Sequence, residues 1–593
     1  MSTAEIELEE EFARTALKRA TWSRLFAYFK PHRRQLTIAL ACEAIWVVSM
    51  LLDPHLIKVA LNGPLPAGDA GATLVLVGWL LANIVGRALL TRYELRLSTA
   101  IGVQVQDAIR RDVFDHVQRL SMRYFDRTKQ GRIIARADRD VDTLEHLIFW
   151  GPILVTMMIL SLSLGIVWLL TVNASLALWV FASLPLVWIT TRVFHKLGFP
   201  VYREVREAST NISSHVAESI TGVRVVQAFN AEARADADLD TRNDAYSIAV
   251  MKGAKIASAY IPFLTLSFHG VTVALLLFGG YAVLDGAMQV GDLVQFVLLL
   301  GFVLGPIEGL GGLYNECLVA GAAAERIFLL LDTEPEVQDV EDAVDPGRLR
   351  GEIVFDNVSF SYDPSGKDGR QLEHVSFRVE PGETVALVGH TGAGKTSVIN
   401  LLARFYEAQE GEVRLDGIDV RKIKLDALHD QTGIVLQSNF LFAGSVLDNL
   451  RFVHPGLTEA EAIDGFDALG CRSVLEQLKD GIQTEVGERG ANLSEGERQI
   501  VCFVRALLAE PSMLILDEAT SAVDTRTEAL ILRALERLSA RQTTVVIAHR
   551  LSTIKHADRI LVMEDGRVVE QGNHASLLAQ DGKYAALYAE YDG

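Results

Sequence analysis

The chain has 593 residues, half of them apolar, with a formal charge of −19. This length exceeds one domain and suits two large units, and the apolar share excludes a disordered chain. The acidic balance argues against a nucleic-acid partner, because neutralising phosphates takes a basic face.

The N-terminus carries Glu5, Glu7, Glu9, Glu10 and Glu11 rather than a basic segment followed by an apolar run, so no cleavable signal peptide is expected. Trp22, Leu25, Phe26 and Phe29 then recur at helical spacing, with Arg24 and Lys30 between them and Pro31 closing the segment. A short amphipathic helix of this kind beside a membrane span lies in the headgroup region.

Six apolar stretches follow: Leu36 to Ile57, Leu74 to Leu90, Leu147 to Leu170, Leu176 to Phe194, Ile256 to Leu284 and Leu293 to Leu313. Each approaches or exceeds the roughly 20 residues that a helix needs to cross a hydrocarbon core. Arg33 and Arg34 precede the first, and Arg92 to Arg139 and Arg192 to Lys255 are rich in basic residues. The links Pro64 to Asp69, Thr171 to Ser175 and Asp285 to Asp292 contain no lysine or arginine. The basic loops therefore face the cytoplasm, and six crossings return the chain to that side. Helical patterns from Arg92 to Leu120 and from Val201 to Glu232 continue the spans into solvent as long hairpins. Glu43, Glu308 and Glu316 lie within or near the spans. They either line a wet route for cationic or amphipathic cargo, or pair with Arg87 or another helix, or sit at the membrane interface.

Thr333 to Gly351, rich in Pro, Asp and Glu, reads as a linker. The expected domains are thus a tail and interfacial helix (1–35), a membrane domain (36–331), a linker (332–350) and a cytosolic domain (351–593). Cys42, Cys317, Cys471 and Cys502 are scattered, with neither zinc-site spacing nor disulfide density, which fits a reducing cytosolic face.

The cytosolic domain alternates strand and helix patterns, which implies a mostly parallel sheet with its ligand at the strand C-termini. There Val385 to Val388 runs into G-H-T-G-A-G-K-T-S, comprising Gly389, His390, Thr391, Gly392, Ala393, Gly394, Lys395, Thr396 and Ser397. A strand handing over to a helix through G-x-x-x-x-G-K-[ST] is a phosphate loop. Its glycines allow turns closed to a Cβ, and its N–H groups and the helix N-terminus hold an anion. Lys395 is placed for the outer phosphates of ATP and Thr396 for Mg²⁺. The apolar run Met513 to Leu516 ends in Asp517 and Glu518, a pair suited to holding the metal and polarising the attacking water, respectively.

Taken together, these residues resemble an ATP-binding cassette transporter, specifically a half-transporter of the exporter type, over nearly the whole chain from Trp22. The fold implied is a membrane α-helical bundle of six transmembrane helices with long cytoplasmic extensions, followed by an α/β P-loop NTPase domain. By this resemblance Tyr362 stacks on adenine, Gln437 joins Mg²⁺ coordination, and His549 contacts the γ-phosphate. Ser494 and Gly496 match the signature segment, and Asp524 falls in the loop that crosses to the other subunit. The segment T-E-V-G-E-R-G with Glu488 resembles the one that touches the cytoplasmic loops. R-Y-F-D-R-T-K-Q-G-R-I-I-A-R and E-S-I-T-G-V-R-V-V-Q-A-F resemble the regions that form the intracellular couplers.

In this family each ATP is held between the phosphate loop of one nucleotide domain and the signature of another, so a single copy of each motif implies a dimer. The signature reads L-S-E-G-E here, with Glu495 and Glu497 where L-S-G-G-Q is usual. A carboxylate cannot donate as an amide does, and it repels a triphosphate. The expectation is a second half-transporter subunit, a heterodimer in preference to a homodimer, in the cell inner (plasma) membrane. Its lipid-embedded helices would export a hydrophobic or amphipathic substrate. A homodimeric lipid flippase, an ATP-gated channel and a regulatory subunit are the alternatives. No nucleic acid is expected.

Overall fold

The computed structural model describes residues 19–363, 369–437, 439–517, 525–539, 542–548 and 551–592. It comprises two compact units, Met1–Gln118 with Gln130–Thr333, and Arg119–Lys129 with Glu334–Gly593.

The first unit is helical. After α1 (Arg19–Ala27) come α2 (Arg33–Asn62) and α3 (Ala70–Arg119). A short α4 (Met122–Arg127) lies in the stretch assigned to the second unit. The chain continues through two short helices, Gln130–Ala137 and Arg139–Thr143, into α5 (Glu145–Val172), α6 (Ala174–Thr221), α7 (Val223–Ala228), α8 (Glu232–Leu284) and α9 (Val290–Leu331). Among the described residues, five helical stretches, those ending in α2, α3, α5, α8 and α9, are long and apolar enough to cross a membrane. The 48-residue α6 carries the remaining expected span.

Local chemistry sets the boundaries. α2 gives way at Gly63 to Pro64, Leu65 and Pro66. α6 starts where the Asn173 side chain accepts the Leu176 N–H at 3.0 Å. α9 starts with a reciprocal Gln289–Asp292 capping box. At about 1.5 Å per residue, the 50 and 53 residues of α3 and α8 exceed a roughly 30 Å hydrocarbon core, so both are long enough to continue past it as levers.

The unit's core gathers Val47 and Leu51 from α2, Leu169 from α5, Val180 from α6, Leu275 from α8, and Phe296, Leu299 and Val303 from α9. Polar pairs join helix to helix. Arg87 pairs with Asp53 at 2.6 Å, and His146 meets Glu316 at 3.0 Å. Arg87 therefore neutralises an aspartate rather than Glu43 or Glu316. Glu43 is buried facing Glu94 of α3, and the Glu308 side chain lies outside the described residues. α1 is fastened to the same unit. Leu25 is buried, Arg24 bonds Asp332 at 2.6 Å and lies 4.3 Å over the Phe328 ring, and Tyr28 donates to Asp112 at 2.7 Å.

The second unit has two sheets. One is antiparallel in the order β2 (Leu372–Val379), β1 (Ile353–Phe360), β4 (Glu410–Leu415), β5 (Ile418–Asp419). The other runs β10 (Arg567–Gly572), β9 (Arg559–Glu564), β3 (Thr384–Val388), β8 (Thr543–Ile547), β7 (Met513–Asp517), β6 (Thr432–Val435). It is parallel from β9 through β6. Successive side chains of a strand point to opposite faces, so Val385 and Leu387 enter one core with Ile515 and Val545, while Ala386 and Val388 enter the other with Leu514 and Val546. Burial on both faces explains why these strands read as unbroken apolar runs.

The stretch expected as a linker is tied to this unit. Val344 bridges Ile423, Leu349 is buried, and the fully buried Arg404 side chain donates to the Gln338 carbonyl at 2.8 Å.

Candidate nucleotide site

In the parallel sheet, Leu387 is level with Ile547, Ile547 with Asp517, and Val435 with Leu516. The C-terminal ends of β3, β8, β7 and β6 therefore form one edge. That register brings Gly389, Asp517 and Gln437 to the same side of the sheet although they are far apart in sequence. With neighbouring strands about 4.8 Å apart, the phosphate loop and Asp517 are roughly 10 Å from each other across β8, the span of a phosphate chain and its metal. Glu518, Asp524 and His549 lie outside the described residues, but the strands that deliver the first and last end at Asp517 and Ile547.

The loop from Gly389 to Gly394 folds as its glycines require. Gly389 has φ +151°, and a Cβ there would meet the Met563 carbonyl oxygen at 2.2 Å. Gly394, at φ +98°, would bring a Cβ to 2.7 Å from the Gln371 carbonyl oxygen. Both positions are closed to other residues by neighbouring backbone, which cannot yield as a side chain can. His390, Thr391 and Gly392 are exposed at the loop's crest, and Ala393 packs inward.

Helix α10 (Lys395–Leu402) follows at once. Lys395 is buried, and its Nζ donates to the carbonyl oxygens of Gly389 at 2.6 Å and His390 at 2.9 Å. Burial pushes the ammonium below the usual lysine range, with Asp517 opposing the shift. Thr396 is exposed, whereas Ser397 is buried and donates to the Tyr362 hydroxyl oxygen at 3.3 Å. The same oxygen accepts from Asn400 Nδ2 at 2.9 Å. Ser397 and Asn400 thus hold Tyr362, whose ring is edge-on to Phe360 and Tyr406 at 4.8 and 5.0 Å.

These residues fit Mg·ATP. Two glycines make a cradle that a Cβ would fill, a cation folds over it, and an exposed hydroxyl opens the helix. No group of three or more His, Cys, Asp or Glu forms a metal cage among the described residues. A site supplying Thr396, Asp517 and the exposed Gln437 suits Mg²⁺, which takes few protein ligands and completes its shell with phosphate and water.

Ser494 and Gly496 lie at the start of α11 (Glu495–Leu508), in the same unit but on a separate element. Ser494 is the N-cap. Its N–H and Oγ both donate to Glu497 Oε2 at 2.7 Å, and Glu497 N–H returns a bond to Ser494 Oγ at 3.3 Å. Glu495 accepts from Asn439 Nδ2 at 3.1 Å and pairs with Arg498, so its carboxyl lies below the usual range, chiefly through the Asn439 bond. Glu488 is exposed on a short turn before this helix.

A cluster that the motifs did not reveal lies beside Tyr362. Tyr406 donates its hydroxyl to Asp126 of α4, and Arg123 lies 5.6 Å over its ring and 3.0 Å from Glu336. Arg127 reaches the Tyr362 carbonyl at 3.4 Å and Asp363 at 3.6 Å. The R-Y-F-D run resembles part of a coupler, but nothing in the sequence pairs it with Tyr406.

A family model described as the ABC transporter transmembrane region matches residues 36–307, and one described as ABC transporter matches residues 372–521. The chain is similar to the uncharacterized ABC transporter ATP-binding protein YknV of Bacillus subtilis (strain 168), at 36% identity over 95% of this chain and 93% of the relative. To a fatty acid ABC transporter ATP-binding/permease protein of Mycobacterium bovis (strain ATCC BAA-935 / AF2122/97) it is 35% identical, over 85% of this chain and 79% of the relative. A solved bacterial Atm1-family ABC exporter with ATP bound aligns with TM-score 0.78 and 28% identity, covering 94% of this chain and 98% of that one.

Proposed function

Since the chain belongs to the ABC transporter family, we propose that it is one half of a dimeric exporter in the cell inner membrane that drives a hydrophobic or amphipathic compound outward with Mg·ATP. The observation that carries this reading is the shared edge of β3, β8, β7 and β6, which gathers the phosphate loop, Asp517 and Gln437.

In that reading Gly389 to Ser397 hold the phosphates, Tyr362 takes adenine, and Thr396, Gln437 and Asp517 hold Mg²⁺, which would neutralise charge on the transferring phosphate. Lys395 exchanges its two loop carbonyls for phosphate oxygens. Glu518 orients or deprotonates water, and His549 steadies the terminal phosphate. Asp524, with Ser494 and Gly496, faces the second subunit. Nucleotide favours the closed pair of nucleotide domains by its differential affinity for that state, and the levers carry the closure to the spans.

Dimerisation is supported by the tip of the α6–α8 hairpin, where Ile220, Val225 and Phe229 are 68, 61 and 78% exposed. An apolar patch on a helical tip in water calls for a cover. Glu495 and Glu497 favour pairing with a related but different chain over self-pairing. An apolar cavity of about 620 Å³ between α6 and α8, lined by Leu176, Trp179, Phe263, Leu266, Val271 and Phe278, supports a greasy cargo. The M. bovis relative's printed role in fatty acid transport points the same way.

ATP-dependent uptake of labelled fatty acids and lipophilic dyes into inside-out vesicles tests the export. Glu518→Gln should abolish turnover and keep ATP binding, and uptake without ATP would remove the motor. Weighing the purified complex tests the pairing, since an active homodimer overturns the heterodimer.

A further inference from the structure

We propose that Glu43, Glu94 and Ser98 form a seat between α2 and α3 for a compact monovalent cation, either an alkali metal ion or the ammonium head of an amphipathic molecule. The inference goes beyond the nucleotide chemistry above and uses none of it.

Two polar clusters join these helices, and they differ in one respect. Near the C-terminal end of α2, Ser49 donates to Asn83 at 2.5 Å, Asn83 donates to Asp53 at 2.7 Å, and Arg87 pairs with Asp53 at 2.6 Å. That acid has its own cation and its own amide donor. Nearer the N-terminal end of α2, Glu43 and Glu94 lie within hydrogen-bonding reach of each other, and no lysine or arginine among the described residues acts on either. Glu43 is 4% exposed and Glu94 6%, and each leaves its Oε1 atom buried with no partner. Two carboxylates facing each other in an apolar surround repel and call for a counter-charge.

Ser98 is an independent sign of a ligand. It is 6% exposed, and its Oγ also has no partner. Other hydroxyls of these helices bond back to the carbonyl one turn earlier, as Thr37 does to Arg33, Thr156 to Pro152 and Ser163 to Ile159, each at 2.7 Å. Ser98 makes no such bond. The pairings of Asp53 with Arg87 and of Glu43 with Glu94 make α2 and α3 antiparallel. Ser98, one turn past Glu94, is therefore level with Ala39, one turn before Glu43. A helical side chain tilts towards its own N-terminus, so Glu43 leans to the level of Ala39 while Ser98 leans back towards Glu94. Ala39 is fully buried and brings only a methyl group to that level.

The donor set selects the ligand. Two carboxylates and a hydroxyl offer fewer oxygens than the roughly six that Ca²⁺ or Mg²⁺ takes, and burial keeps out the water that would complete the shell. A single positive charge suits the seat better. An alkali ion would be held by the oxygens directly, and an ammonium has three N–H donors for the three unpartnered atoms, Glu43 Oε1, Glu94 Oε1 and Ser98 Oγ.

The test uses no nucleotide. The full-length chain, purified with whichever subunit accompanies it and held in lipid nanodiscs, is melted at constant ionic strength in sodium, potassium or tetramethylammonium chloride. A further arm adds dodecylamine to the tetramethylammonium medium, with dodecyltrimethylammonium, which has no N–H, as its control. Sodium or potassium should raise the midpoint by about 2 °C at saturation if the occupant is an ion, and dodecylamine but not its control should do so if it is an ammonium head. Either rise should be lost in Glu43→Gln and in Glu94→Gln, and Ser98→Ala should raise the half-saturating concentration about tenfold. If no cation moves the midpoint of the parent, or if both glutamine variants respond as the parent does, the seat is overturned. A midpoint that follows pH and ignores the cation overturns it too, because the pair then holds a proton. ATP binding measured alongside reports on the motor by itself, so failure of this inference and failure of the export reading are distinguishable.

Discussion

Tyr406 gives its hydroxyl to the Asp126 carboxylate, joining two residues 280 positions apart within the nucleotide unit. Tyr406 is 3% exposed, and its hydroxyl is pushed above the usual phenol range by burial first and by Asp126 second, so it stays a donor at any working pH. Tyr406→Phe keeps the rings packed and removes only that donor. The expected loss is about 1–2 kcal/mol of stability, with Asp126→Asn milder because an acceptor remains. Calorimetry measures the loss, and the amount of cargo moved per ATP hydrolysed should fall with it, because α4 then sits loosely beside Tyr362.

Lys395 anchors the second prediction. In this ATPase-coupled transporter, Lys395→Ala should lower turnover at least about 100-fold, since one preorganised charge at a phosphoryl-transfer site is worth several kcal/mol. Gly394→Ala should also abolish nucleotide binding, because its Cβ would come within 2.7 Å of a backbone oxygen at a left-handed φ. Phosphate release assays and titration with a fluorescent nucleotide separate the two effects.

Phe229→Asp at the exposed tip tests assembly. Substituting a charge at a residue 78% exposed should leave the fold of the chain intact, with a stability change within about 0.5 kcal/mol. If that tip is covered in the dimer, the purified complex should be lighter and its ATPase activity lost. Mass measurement of variant and parent at equal concentration gives the answer.

The Glu495 strap has a pH signature. A carboxyl held below its ordinary 4.5 by Asn439 and then Arg498 contributes stability in full above that value and loses it as the pH falls through the lowered one. The Arg498 pair is partly exposed and screened, so the share is about 0.5 kcal/mol. Thermal melts of Glu495→Gln and the parent should converge as the medium is acidified and diverge towards neutrality.

Much of this architecture is legible from sequence because its signals are local. The six apolar runs, the loop Gly389 to Ser397 and the strand ending in Asp517 each announce themselves within about 20 residues, as periodicity or a fixed spacing. What escaped depends on distant pairings. No local pattern tells that residues 119–129 join the second unit, that Tyr406 meets Asp126, or that Ser397 turns inward to Tyr362 while Thr396 stays exposed. The stretch Thr333 to Gly351 reads as a linker because it is rich in Pro, Asp and Glu. It is held instead by Arg404, whose reach could not be read from its position in the chain. The capping box at Ser494 is local and legible, since S-x-x-E is a helix-start pattern.

The bond between Arg24 and Asp332 spans 308 residues, nearly the entire membrane half. A ribosome must therefore finish the last lipid-facing helix before the first short one can be seated. Until then Leu25, which ends 2% exposed, has no groove to enter. Closing so long a stretch of chain makes this a non-local contact, formed late in the folding of the first unit. A chain cut short before Asp332 would keep its loosened N-terminal piece on display to quality-control proteases.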